Sequence, residues 1–213
     1  MVIDEAWRLA ERALSAALPR RWRHVQAVAE RATEITAVPV VDSESLVAAA
    51  WLHDIGYAPE RVESGFHPLD GARYLRRLGT MPDRVACLVA HHSCAVLEAE
   101  ERGLAGELLV EFIKEESPTA DALWYADMTT GPDGERFDVA ERLAEIRSRY
   151  GPDHGVTRFV NRAQGEIVTA VETTQARLVA VGEPTQYAGA RSLRARVRGD
   201  ASSRATVSYG PRA

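Results

Sequence analysis

Apolar residues recur every three to four positions along this 213-residue chain, and no stretch alternates at every second position. A period near 3.6 buries one side of a helix, whereas a half-buried strand needs a period of two, so the pattern specifies helices and leaves no sheet. The first helix is expected over Asp4 to Ala17, with Trp7, Leu9, Ala10, Ala13, Leu14 and Ala17 at helical spacing and Pro19 closing it. A second covers Arg20 to Ala37, and Asp42-Ser43-Glu44 supplies capping chemistry for a third from Ser45 to Ile55. Others are expected from His67 to Leu78, from Met81-Pro82-Asp83 to His92, over Leu104 to Ile113, from Ser117 through Asp127, over Phe137 to Tyr150 and over Thr157 to Ala180. Gly131-Pro132-Asp133-Gly134 reads as a turn-rich loop. The expectation is an all-α, single-domain helical bundle of about eight helices over residues 1–180. Residues 181–213 read as an Arg-rich, flexible C-terminal tail poor in large apolar side chains.

The net charge of −5 conceals an asymmetry: beyond position 180 six arginines face only Glu183 and Asp200, so the tail is +4 and the body −9. An acidic body argues against nucleic acid as the main partner. No apolar run approaches the length of a membrane span, and the N-terminus lacks signal character, so a cytoplasmic location without a membrane partner is expected. Cys87 and Cys94 lie seven apart on one expected helix, a separation of about 10 Å that precludes a disulfide. They read as core thiols in a reducing compartment. Trp7, Trp22 and Trp124 are available to the core or to a homo-oligomeric interface.

Several polar residues share the faces that should point inward. His24 stands in register with Val28, Ala32 and Ile35, and Asp127 lies four after Leu123. His53-Asp54 closes the apolar run Leu46-Val47-Ala48-Ala49-Ala50-Trp51-Leu52. Adjacent residues on a helix diverge by about 100°, but at a helix end the geometry loosens, and Gly56 is placed to take a left-handed, helix-ending conformation. Inward aspartates are costly unless paired or metal-bound. A divalent cation held by His24, His53, Asp54 and Asp127 satisfies all four, and mixed imidazole and carboxylate ligands suit Fe, Mn, Co, Ni or Zn better than Ca. His154, in Gly151-Pro152-Asp153-His154-Gly155, reads as a surface residue.

The ordered set His24 … His53-Asp54 … Asp127, with Leu52-His53-Asp54-Ile55-Gly56 around the central pair, resembles the HD-domain superfamily of metal-dependent phosphohydrolases over about residues 20 to 130. The resemblance implies an all-α bundle with His53 and Asp54 at its catalytic centre. In dinuclear branches of that superfamily two further histidines follow the pair, and its aspartate bridges two ions. His67 matches the first and His91-His92 the second, with His91 taken as the ligand and His92 as its neighbour. Ser93-Cys94-Ala95 stands where the HD-GYP phosphodiesterases carry a glycine-rich run, which argues against cyclic di-GMP as substrate.

From their positions, Asp70 is expected to orient His67 or cap its helix, an arginine of the Arg20, Arg21, Arg23 cluster, represented by Arg23, to clamp phosphate, and Thr130 with Thr129 to line the pocket. The function implied is hydrolysis of a nucleotide or other small phosphate mono- or diester by water activated on one or two divalent transition metals. One alternative is an HD-type di-iron oxygenase that cleaves a C–P or C–C bond with O₂. Another is a non-catalytic metal- or ligand-binding module, which the intact four-residue motif disfavours.

Overall fold

The computed structural model describes residues 1–182. Ten α-helices make up the fold among these residues: α1 (Val2–Leu14), α2 (Pro19–Glu34), α3 (Ser43–Leu52), α4 (His67–Leu78), α5 (Asp83–Ala90), α6 (Ala95–Arg102), α7 (Ala105–Glu111), α8 (Pro118–Met128), α9 (Val139–Tyr150) and α10 (Gly155–Ala180). Short 3₁₀ turns cover Ile35–Ala37, Ile55–Tyr57, Pro59–Arg61 and His92–Cys94. The all-α expectation holds. The helix without a counterpart among the expected stretches is α6, whose second half is charged; Arg102 pairs with Glu98 one turn earlier, and Ala95 and Ala99 face the core. Residues 183–213 of the Arg-rich tail lie outside the described residues. Among the described residues no helix is long and apolar enough to cross a membrane.

α3 and α8 form the centre. On α3 every residue from Ser45 to Ala50 is buried, as is Leu52, so it is an internal helix packed by α1, α2, α5 and α8 on its different sides. Asp42 caps it, accepting the Ser45 amide at 3.2 Å. α8 is buried from Ala122 through Met128, with Ser117 as its cap, and the 26-residue α10 packs along it. Trp124 is buried in this centre, Trp22 packs on Trp51 with ring centroids 5.7 Å apart, and Trp7 is partly exposed.

Two helix ends govern the site. α4 begins at His67 and stops at Gly79, whose φ of 70° supplies the left-handed cap. α5 ends at Ala90, two residues before its expected limit, because Ser93 and Cys94 adopt left-handed φ values of 48° and 61° and turn the chain into α6. Cys87 and Cys94 therefore do not share a helix, and both are buried free thiols.

Gly56 departs from its expected role. It has no left-handed φ and lies within the Ile55–Tyr57 turn. Its smallness serves a close approach instead: a Cβ there would meet the His67 carbonyl oxygen at 2.1 Å and the Gly71 nitrogen at 2.6 Å. The first turn of α4 thus rests directly on the backbone after Asp54.

Candidate metal centre

The C-terminal ends of α3, α5 and α8 converge with the N-terminal end of α4, and the middle of α2 crosses beside them. α3 delivers His53 and Asp54 immediately after its last residue, α4 offers His67 as its first residue, the turn after α5 carries His92, and Asp127 lies one residue before the end of α8. Helix C-termini concentrate partial negative charge, so three of them pointing at one place favour a cation there.

Three imidazoles are fixed in the same tautomer by the main chain. His53 Nδ1–H donates to the Ala50 carbonyl at 2.8 Å and His92 Nδ1–H to the Val89 carbonyl at 2.6 Å, each reaching back three residues to a carbonyl of its helix's last turn. His24 Nδ1–H donates to Gly131 O at 2.9 Å. A carbonyl only accepts, so the proton on each Nδ1 is fixed and Nε2 is the atom that each ring offers to the site. His24 Nε2 and His53 Nε2 are 3.4 Å apart, a contact that is repulsive for two lone pairs and needs a proton or a cation between them.

The carboxylates complete two groups. His24, His53 and Asp127 form one, with Asp127 Oδ1 3.2 Å from His24 Nε2 and 4.0 Å from His53 Nε2. Asp54, His67 and His92 form the other, with His67 Nε2 3.3 Å from Asp54 Oδ1 and 3.2 Å from His92 Nε2. Asp54 joins them, since its Oδ2 lies 3.4 Å from His53 Nε2 and 3.7 Å from His24 Nε2. All six residues are buried except His67, which is partly exposed. The donor set of imidazole nitrogens and carboxylate oxygens, with its converging lone pairs, fits divalent transition-metal ions.

Protonation reports the same field. Burial opposes charge on His53, but Asp54 and Asp127 outweigh it and raise its pKa to about 9. Asp54 and Asp127 are held well below the usual carboxylate range despite burial, Asp54 chiefly by Arg21 and His53, and Asp127 by His24 and His53. Burial depresses His67 and His92, which stay neutral and free to donate lone pairs.

Four site expectations are corrected. His91 is outside both groups: its Nε2–H donates to the Phe112 carbonyl at 2.8 Å, and His92 occupies the position assigned to it. The physical reason is the turn after Ala90, which aims consecutive side chains in different directions. Asp70 touches no histidine. It is buried, with its carboxylate accepting the amides of Glu63, Ser64 and Gly65 and the Ser64 hydroxyl at 2.7 to 3.1 Å, and so pins the loop that leads into α4. Arg23 and Arg20 both hold Asp133 at the surface, and the arginine at the site is Arg21, 2.7 Å from Asp54 Oδ2. Thr130 returns its hydroxyl to the Ala126 carbonyl, Thr129 does the same to Tyr125, and neither lines the cleft.

A cleft of ≈ 240 Å³ opens above the two groups, with Arg21, His24, Asp54, His67, His92 and Asp127 in its wall. Its opposite side is built from α9, α10 and the turn between them, including His154, which is exposed, as expected, and stands at the edge of the cleft. Sequence reasoning also missed Ser93, whose hydroxyl donates a short hydrogen bond to Asp127 Oδ2, and Tyr57, stacked on His67 with centroids 4.0 Å apart and covered by Arg21 on its ring. Arg21 had a legible signal, since it precedes His24 by three residues and shares its helix face. Ser93 had none, because its position depends on two left-handed residues.

A search of curated proteins and of solved structures returns no match. The HD-domain model matches residues 21–130, just over half of the chain and the whole span that carries the six converging ligands. These are the features of metal-dependent, hydrolase-type chemistry on a helical scaffold, and the chain belongs to the HD-domain family.

Proposed function

We propose that this protein is a metal-dependent phosphohydrolase that cleaves a small phosphate ester at a centre of two ions. The observation that carries this reading is the placement of Asp54 between the two groups of ligands, with Oδ1 toward His67 and Oδ2 toward His53 and His24. A carboxylate so placed suits two neighbouring cations, His24, His53 and Asp127 holding one and His67 and His92 the other. Bound metals of this kind supply a water acidified toward neutrality and positive charge for phosphate oxygens.

The chain's own residues do the rest. Arg21 lies at the rim of the ligands, its charge secured by Asp54 although burial opposes it, and it offers the planar donor fork that suits a phosphate. Tyr57, between His67 and Arg21, keeps the imidazole and the guanidinium apart and in place. The size of the cleft favours a compact substrate over a polymer.

The test is metal content per chain, on protein purified without a chelating tag, followed by phosphate release from 4-nitrophenyl phosphate after reconstitution with Mn, Fe, Co, Ni or Zn. Two ions and metal-dependent release that Asp54→Asn abolishes are expected. Absence of metal binding under every condition defeats the proposal. Iron accompanied by O₂ consumption and no phosphate release transfers the site to oxygenase chemistry.

A further inference from the structure

The wall facing the metal ligands lies beyond the matched family span and has its own chemistry. Arg142 sits on the inward stripe of α9 with Val139, Leu143 and Ile146, is only 6% exposed, and lines the cleft. Its NH1 pairs with Glu145, but its Nε is buried with no hydrogen-bond partner. A buried guanidinium donor without a partner is costly unless a ligand supplies the acceptor. Arg149, also lining the cleft, pairs with the same Glu145 at 3.4 Å, so two cations share one carboxylate.

His154 and the start of α10 add donors. His154 Nδ1 accepts the Val156 amide at 3.1 Å, which places the ring proton on Nε2, and the ring packs against Tyr150 at the cleft wall. The first turn of α10 contains no acidic residue, and none of the α9 or α10 residues that line the cleft is acidic. A donor-rich, net cationic wall therefore faces the acidic cluster of Asp54 and Asp127 across one small cleft.

We propose that Arg142, Arg149 and His154 form a binding subsite for a second anionic group of the substrate, a phosphate or a carboxylate remote from the phosphate that reacts. This deepens the phosphohydrolase reading and rests on it for the identity of the other end of the substrate. The substrate class is then a compact phosphate ester with two anionic groups. A leaving group without an anion would leave the Arg142 Nε without an acceptor.

The subsite is read without turnover by titrating the metal-stripped, full-length protein with inorganic phosphate and, separately, with malonate in a calorimeter. Arg21 also lines this cleft, so the α9–α10 wall is identified by the loss of anion binding in its own variants. Wild type is expected to bind one anion per chain, with affinity weakened by roughly tenfold in Arg149→Gln and in Arg142→Gln. Arg149 is partly exposed, so its variant remains informative if loss of the buried Arg142 disturbs folding. Preference for phosphate or malonate identifies the anion. No binding to wild type, or binding unchanged in Arg149→Gln, overturns the subsite. Anion binding that persists in a protein without phosphatase activity overturns the hydrolase reading and leaves the subsite standing.

Discussion

Replacing Gly56 by alanine should cost the protein one of its two ligand groups before it costs the fold. The added Cβ would lie 2.1 Å from the His67 carbonyl oxygen, 2.6 Å from the Gly71 nitrogen and 2.9 Å from the His67 carbonyl carbon. All three atoms are main chain, so no side chain can rotate away, and restoring ordinary contact at about 3.5 Å requires α4 to retreat by about 1.4 Å. Overpacking of this kind costs about 1–3 kcal/mol. At about 2–4 °C per kcal/mol for a chain of this size, Tm should fall by about 2–12 °C. The functional effect is larger, because His67 is the first residue of α4 and its Nε2 stands 3.3 Å from Asp54 and 3.2 Å from His92. Metal–ligand distances tolerate about 0.2 Å, so a retreat of this size removes His67 from ligation. Elemental analysis after reconstitution should give one ion per chain in Gly56→Ala and two in wild type. Gly106→Ala, where an added Cβ meets nothing within 4 Å, is the control. Two retained ions and a melting curve matching that control would refute the argument that backbone contact sets the position of His67.

Further outcomes follow from the same geometry. His92→Ala should lose one ion and at least tenfold of kcat/KM, whereas His91→Ala keeps both ions and shows only a stability loss of about 1–2 kcal/mol from the Phe112 hydrogen bond; the opposite pattern would restore His91 as the ligand. Arg21→Gln should lower kcat/KM for 4-nitrophenyl phosphate by about 10- to 100-fold, while Arg20→Gln and Arg23→Gln, which hold Asp133 instead, stay within about twofold of wild type. The His53 pKa of about 9 in the folded, metal-free protein lies above its unfolded value of about 6.5, so its proton stabilises the fold fully below about pH 6.5, and that stabilisation is lost as pH rises through about 9. A metal must displace this proton, so calorimetric Mn²⁺ affinity should rise by about tenfold per unit between about pH 7 and 9 and then level; a flat profile contradicts the assignment. Asp70→Asn, which weakens the clamp on three loop amides and the Ser64 hydroxyl, should cost about 2–3 kcal/mol in denaturant unfolding.

The sequence alone determined the helical class, most helix positions and four of the residues that converge, and the family resemblance added His67. Those features are local or periodic: His24 and Asp127 announce themselves by occupying inward faces, and His53-Asp54 by closing an apolar run that can only be an internal helix. Arg142 is legible by the same logic, as a charge on the apolar stripe of α9. Tertiary structure decided the choice between His91 and His92, because left-handed Ser93 and Cys94 end the helix and periodicity does not extend through such a turn. It also decided what Gly56 is for, where the carboxylate of Asp70 goes, and which arginine of three reaches the ligands. Each depends on what a distant segment brings within a few ångströms, whether the α4 backbone, the loop amides at 63–65 or Asp133, and that proximity is a property of the packed fold rather than of any local stretch.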